Sequence, residues 1–167
     1  MSFAIVVAVD NENGIGKKGA LPWRLSADLK YFAQLTKQTD GLPPTVIMGR
    51  KTYDSIPEKF RPLPQRRNVV ISRQADLAYP GADIAHSLQE ALDLVAADAA
   101  PIYVIGGGQI YAEALEHPDC GDLFITHVEG NADCDVFFPD YSQFKLVSEQ
   151  DSLTEGDISF KFCKWRA

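Results

Sequence analysis

Apolar positions along the chain fall into two recurring patterns. Phe3–Val9 is an unbroken apolar run with several β-branched residues, as expected of a strand buried on both faces. Comparable runs predict strands at Thr45–Gly49, Asn68–Ser72, Ile102–Ile105 and Leu123–Val128, with a weaker one at Ala82–Ala85. Helical spacing appears between them. Leu25, Leu29 and Phe32 would share one face of a helix over Ser26–Gln38, with Ser26 as its N-cap and Asp28 one step from that face. Arg50–Ser55 reads as a short helix ended by Pro57, and Ser87-Leu-Gln-Glu90 as a capping box opening a helix to about Ala97. A further helix, Gln109–Leu115, is stopped by Pro118. The alternating stretches Phe144–Glu149 and Ile158–Trp165 flank a polar turn and predict an antiparallel pair. The pattern predicts one α/β domain over residues 1–167. It has a central, mostly parallel eight-stranded sheet, helices on both faces and a C-terminal antiparallel hairpin.

Composition narrows the class. Apolar residues make up 46% of the 167 and charged ones 23%, which excludes a disordered chain. No apolar run approaches the roughly 18 residues of a membrane span, and MSFAIVVAVD reads as a first strand rather than a signal peptide. Cys120, Cys134 and Cys163 are odd in number and lack metal-ligand spacing, so they read as reduced thiols of a cytoplasmic protein. His86, His117 and His127 include no i, i+4 pair, which argues against a catalytic zinc, and no metal is expected. A net charge of −7 argues against nucleic acid as partner. Its distribution is uneven: from Arg50 to Arg73, seven basic residues stand against two acids. Cations gathered in one segment of an acidic protein point to an anionic small molecule. No long apolar patch calls for a partner, so a monomer is expected.

Two glycine clusters carry candidate chemistry. Gly14, Gly16 and Gly19 spell G-x-G-x-x-G after a strand, but Pro22 follows and no helix opens inside the motif. The segment therefore reads as a flexible loop and not as a pyrophosphate turn. Gly106-Gly-Gly108 lies between a strand and a helix, where one glycine would suffice for a turn; three suit close backbone approach to a phosphate. Arg50, Lys51 and Thr52 open a helix with free backbone N–H groups, and Ser72, Arg73 and Gln74 end a strand at the sheet edge where ligands bind. Leu21–Phe32 sets one carboxylate, Asp28, among aromatic and aliphatic residues. That arrangement is either a helix-dipole complement or an acid tuned by an apolar pocket.

Five blocks in order resemble dihydrofolate reductase, of the bacterial single-domain type. They are Val6–Asp10 with Gly14-Ile-Gly16; Leu21-Pro-Trp23 with Asp28, Leu29 and Phe32; Val46–Thr52 with Ser55-Ile56; Arg61–Pro64 with Arg66–Asn68; and Val104–Tyr111. Thr126 and Phe138-Pro-Asp140 match as well. The resemblance implies hydride transfer from NADPH to 7,8-dihydrofolate, giving tetrahydrofolate for one-carbon metabolism. It implies that Asp28 accepts bonds from pterin N3 and the 2-amino group, with Thr126 behind it and Trp23 reaching through a water. Val6, Ala8, Ile105 and Tyr111 would line the same end, Leu29, Phe32, Ile56 and Leu63 would wall the ring and benzoyl groups, and Arg66 would take the glutamate carboxylate. Water admitted near Leu21 would bring the N5 proton. For NADPH, Ala8, Ile15, Gly16 and Ile105 would meet the nicotinamide. Arg50, Lys51, Thr52, Gly107, Gly108, Gln109 and Ile110 would cradle the pyrophosphate, Ser72 and Arg73, with Arg50, would hold the 2′-phosphate, and Gln74 would be a further cofactor contact. The resemblance also implies a cis bond between Gly106 and Gly107.

This chain departs from the family pattern at four places. Thr36–Pro44 and Pro57–Phe60 are longer than in small bacterial members, the second resembling vertebrate-type ones. Ser26 stands where proline is frequent. Cys134 stands where glycine is common, in a loop that touches the active-site loop near Gly16 in relatives. Two alternatives fit the same signals: an NADPH-dependent pyrimidine reductase of riboflavin synthesis, and a non-catalytic NADP-binding module. Trp23, Asp28 and Arg66 argue for the folate enzyme over the first.

Overall fold

A computed structural model describes residues 2–167; Met1, the first residue of the expected opening strand segment and domain, lies outside them. The strands are β1 (Phe3–Val9), β2 (Gly14–Gly16), β3 (Thr45–Gly49), β4 (Arg67–Ile71), β5 (Ala82–Ala85), β6 (Ile102–Val104), β7 (Cys120–Val128), β8 (Val136–Phe137), β9 (Lys145–Glu149), β10 (Leu153–Glu155) and β11 (Ile158–Arg166). The helices are α1 (Ser26–Lys37), α2 (Arg50–Ser55), α3 (Leu88–Val95) and α4 (Gly108–Glu116). No helix among the described residues is long and apolar enough to cross a membrane.

The main sheet runs β10-β11-β7-β1-β6-β3-β4-β5, with β9 also paired to β11. Neighbours from β7 to β5 are parallel, and β11 is antiparallel to β7, β9 and β10. The expected α/β sheet and antiparallel end are therefore present, with nine strands instead of eight. The extra one is β10, in the stretch expected as a polar turn: Leu153, Thr154 and Glu155 fold back onto Phe160, Ser159 and Ile158. Backbone pairing there outweighs a composition that signals a loop.

Alternation along the strands distributes the core. Ile5, Val7 and Val9 face a cluster with Ile47, Val69, Leu123 and Ile125, closed by Leu88, Leu92 and Val95 of α3 and Ala114 and Leu115 of α4. On the other face Val6, Val46, Met48, Val70 and Tyr103 meet Tyr53 of α2 and Phe32 and Leu35 of α1. Trp23 and Leu25 form a third cluster with Val128, Phe160 and Phe162 beneath the start of α1. Leu25 is buried as the helical spacing requires, but Leu29 remains 49% exposed, while Phe32 and Leu35 further along α1 pack against the sheet and Thr36 is fully buried.

Two local expectations change, at Ser26 and in the Gly14–Gly19 segment, and the capping box at Ser87 holds. Ser26 does not cap α1. Leu25 occupies the capping position, and Ser26 donates to Glu155 instead. Ser87 caps α3 by accepting the Glu90 amide at 3.0 Å, while the Glu90 carboxylate reaches back to the amide of His86. The Gly14–Gly19 segment opens no helix, as expected, but it is not an unstructured loop. Gly14–Gly16 pairs with β8, and Lys17 and Ala20 exchange backbone bonds of 2.9 and 3.1 Å across a tight turn. Glycine at 14 is a matter of space: a Cβ there would lie 2.5 Å from the Cβ of Cys134.

Candidate active site

Strand order creates the cleft. The chain moves outward from β3 to β4 and β5, then returns through β6, which lies between β1 and β3, to β7 on the far side of β1. The β1–β6 pairing ends at Ile5↔Val104, and beyond it the two strands part. Ligands of open α/β sheets bind past the C-terminal strand ends at such a switch point. Here the buried Tyr111 hydroxyl spans the split, 2.8 Å from the carbonyls of both Val6 and Ile105, which share its one hydrogen. Burial holds its pKa far above the usual tyrosine range.

On the α1 side of the split stands Asp28. Its Oδ1 accepts the Thr126 hydroxyl at 2.7 Å, and Thr126 pairs with Ala8 across β7 and β1. Burial raises the Asp28 pKa above the ordinary 3.8, with the Thr126 bond opposing it. No cation pairs with it among the described residues, so the acid is half-buried without charge compensation. Trp23 lies just below, and its Nε1 is buried with no acceptor in the protein. Phe32, Leu35, Ile56, Leu63 and Ile105 pack as a partly buried apolar wall over Val6 and Tyr103.

The basic residues at 66 and 67 separate cleanly. Arg67 bonds Asp83 at 2.8 Å and Asp98 at 2.9 Å. Arg66 meets no carboxylate among the described residues. Its Nε donates to Pro64 O at 2.9 Å and its Nη1 to Thr36 Oγ1 at 2.8 Å, with the guanidinium 5.9 Å from the Phe32 ring centre. Burial lowers its pKa without abolishing its charge. The loop between Arg61 and Arg66 begins with a cis Arg61–Pro62 bond and is pinned by buried Asn68, which exchanges bonds with Leu63 and donates to Arg66 O. Sequence reasoning passed over Thr36. A fully buried threonine on the inner face of a helix, four residues past Phe32, was the available signal.

The other side of the split gathers the C-terminal ends of β6, β3 and β4. The Gly106–Gly107 peptide is cis, as the resemblance implies, and Gly106 has φ +130. Its carbonyl accepts the Gly49 amide at 2.8 Å. A Cβ on Gly108 would lie 2.8 Å from Val136 Cγ1, and one on Gly107 would touch the Thr52 hydroxyl at 3.4 Å. Arg50 has only Asp54, at 3.9 Å, while Lys51, Arg73 and Gln74 are exposed and Ser72 is buried, accepting the Gln74 amide. Ile15 and Gly16 close this end through β2, and Gln109 and Ile110 open α4. Bare backbone amides beside uncompensated cations fit a nucleotide pyrophosphate and an additional phosphate.

The expected contact between the Cys134 loop and the active-site loop is present. Asp135 N donates to Gly16 O and Lys18 N to Asp135 Oδ2, both at 2.9 Å. Asp10, at the loop entrance, accepts from the amides of Glu12, Gly14 and Ala132. Burial raises its pKa, but those bonds outweigh it and hold the carboxyl below the usual range. Leu21 is 56% exposed at the rim. Two cavities, of about 430 and 510 Å³, lie elsewhere, one beside His127 and Trp165 and one beside Thr39 and Tyr103.

The cleft has an apolar, acid-bearing end and a glycine- and cation-lined end, at the C-terminal strand edge of an α/β sheet. Comparison with known proteins gives the family. The profile described as dihydrofolate reductase matches residues 2–167. Dihydrofolate reductase of Aedes albopictus is 41% identical over 165 residues, covering 92% of this chain and 88% of that protein. That of Heliothis virescens is 40% identical over 178 residues, covering 95% and 92%. The solved structure of Schistosoma mansoni dihydrofolate reductase superposes with a TM-score of 0.87 at 35% identity, covering 99% of this chain and 98% of that one. The chain belongs to the dihydrofolate reductase family.

Proposed function

We propose that residues 1–167 form one catalytic unit, a cytoplasmic monomer, that reduces 7,8-dihydrofolate to 5,6,7,8-tetrahydrofolate with NADPH. The observation that carries this reading is Asp28: a half-buried carboxylate with no cation beside it among the described residues and one hydroxyl donor behind it. A second donor face is what it lacks, and pterin N3–H with the 2-amino group supplies two parallel donors to a carboxylate. Trp23 Nε1, buried without an acceptor, fits a water-mediated contact to the same end of the ring.

The remaining roles are those the family resemblance implies, and the placement of the residues supports them. Val6 and Ile105 border the ring where Tyr111 ties the parted strands, and Ala8 lies beneath it beside Thr126. Leu29, Phe32, Ile56 and Leu63 wall the pterin and benzoyl groups. Arg66, aimed by Thr36 and free of acids, takes the glutamate carboxylate. Arg50, Lys51, Thr52, Gly107, Gly108, Gln109 and Ile110 would hold the NADPH pyrophosphate. Ser72 and Arg73, with Arg50, would hold the 2′-phosphate, Gln74 would be a further cofactor contact, and Ala8, Ile15, Gly16 and Ile105 would lie beside the nicotinamide. When bound, the cofactor supplies the hydride to pterin C6. The protein contributes orientation and dryness. Asp28, committed to N3 and the 2-amino group, orients and polarises the ring but cannot also reach N5. Water passing Leu21 delivers that proton, and closure of the Asn11–Leu21 loop limits its access.

The test is spectrophotometric. NADPH absorbance should fall when dihydrofolate is added to the purified protein, and no oxidation would overturn the reading.

A further inference from the structure

Helix α1 begins without an acceptor of its own. Leu25, at the capping position, has no polar side chain, so the first amides of the helix need a partner from elsewhere. Glu155 provides it from 129 positions away. Its carboxylate accepts the Ser26 amide at 2.8 Å, the Ser26 hydroxyl at 2.9 Å and the Ala27 amide at 3.2 Å. Those bonds hold the Glu155 carboxyl below its usual range. The next residue is Asp28.

Asp28 is thus fixed from two strands of the same antiparallel end. Thr126 of β7 holds its side chain, and Glu155 of β10 holds the backbone turn that carries it. β11 joins the two: Phe162 pairs with Thr126, and Phe160 to Ile158 pair with Leu153 to Glu155. Tyr31 of α1 stacks on Phe162 at 4.0 Å between ring centres, so the helix is seated on that same strand. Among the described residues, no element of the glycine and cation end bonds to Glu155.

We propose that Glu155 is a positioning residue for the pterin: by capping α1 it sets where Asp28 stands over β7, and so acts on dihydrofolate binding and not on NADPH binding. This rests on the reading of Asp28 as the pterin acceptor. Its test is a set of ligand affinities for wild type, Glu155→Ala and Glu155→Gln, each also made in an Asp28→Asn background. Glu155→Ala should weaken dihydrofolate binding about five- to tenfold, the loss expected for a helix cap, and leave the NADPH Kd within about twofold. Glu155→Gln, whose amide oxygen still accepts one backbone N–H, should recover part of that loss. In the Asp28→Asn background, Glu155→Ala should change dihydrofolate affinity by less than about twofold, because the contact it positions is already gone. Equal weakening of both ligands, or the full loss persisting without Asp28, would show a general structural staple and overturn the proposal, as would no change at all. If Glu155→Ala does not fold, Glu155→Gln carries the same comparison. A wild-type protein that neither bound dihydrofolate nor oxidised NADPH would remove the function itself. An active wild type whose dihydrofolate affinity ignores Glu155 would remove only this role.

Discussion

The two ends of the cleft handle charge in opposite ways. At the α1 end, Asp28 is half-buried and meets one hydroxyl, and its pKa is raised by the loss of water. At the β3–β4–β6 end, Lys51 and Arg73 stand in solvent, Arg50 has a distant carboxylate, and the backbone carries no side chains from Gly106 to Gly108. A buried charge without a partner is energetically unfavourable and shifts its own protonation; an exposed one is stabilised by water until a ligand replaces it. The first end is therefore strained in the free protein and specific for a donor pair of one shape. The second is relaxed and general for phosphates. Arg66 and Arg67 repeat the lesson at one residue's distance: Arg67 is satisfied by Asp83 and Asp98, while Arg66 is held ready but unpaired.

The largest effect expected from this contrast is at Asp28. Asp28→Asn should lower kcat at pH 7 by about a hundredfold or more, with a smaller deficit at low pH, where substrate arrives protonated. The same substitution should stabilise the fold at neutral pH. The folded-state pKa is raised, so ionisation is disfavoured in the folded protein, and stability declines as pH rises from the ordinary 3.8 through the raised value. Above that range the variant avoids the penalty, and its Tm should rise by about 2–4 °C per kcal/mol relieved. A variant that is slower and less stable at pH 7 would contradict an uncompensated buried acid.

The arginine pair should separate next. Arg66→Ala is expected to raise the dihydrofolate KM roughly ten- to a hundredfold, as the loss of a charge-assisted pair does, with little change in Tm. Arg67→Ala should leave KM in place and lower Tm by a few degrees. An exchange of those phenotypes would move the carboxylate contact one residue along. At the open end, Gly108→Ala brings a Cβ within 2.8 Å of Val136 Cγ1. It should weaken NADPH severalfold and spare dihydrofolate, and Val136→Ala in the same chain should restore most of the loss. The smallest effect concerns the exposed cations. Arg73→Ala should reduce the preference for NADPH over NADH by about tenfold at low salt and less at high salt, measured as the ratio of kcat/KM.

Much of this arrangement was legible along the chain, because it depends on local pattern. Continuous apolar runs located most of the parallel strands to within a residue, β7 starting three residues before the expected Leu123, and the glycine triple marked the cis peptide and the bare cradle through resemblance to relatives. What stayed hidden depends on residues far apart. Glu155 looks like a loop acid until β10 folds onto β11, and nothing near Ser26 indicates that its partner lies 129 positions on. Ser26 has the composition of a cap, yet the chain enters α1 one residue earlier than a serine cap would require. The G-x-G-x-x-G run was distinguished from a phosphate turn by Pro22, but its place beside β8 follows from Cys134 packing against Gly14, a contact across 120 positions.

The most direct test of the central claim is the ionisation of Asp28 itself, followed by the chemical shift of its ¹³C-labelled carboxyl carbon across a pH titration. In the free protein the midpoint should lie above 3.8, and dihydrofolate should move it downward, since two ring donors favour the carboxylate. A midpoint at or below 3.8 that ignores dihydrofolate would mean that Asp28 is an ordinary helix-start acid and that the pterin is held elsewhere.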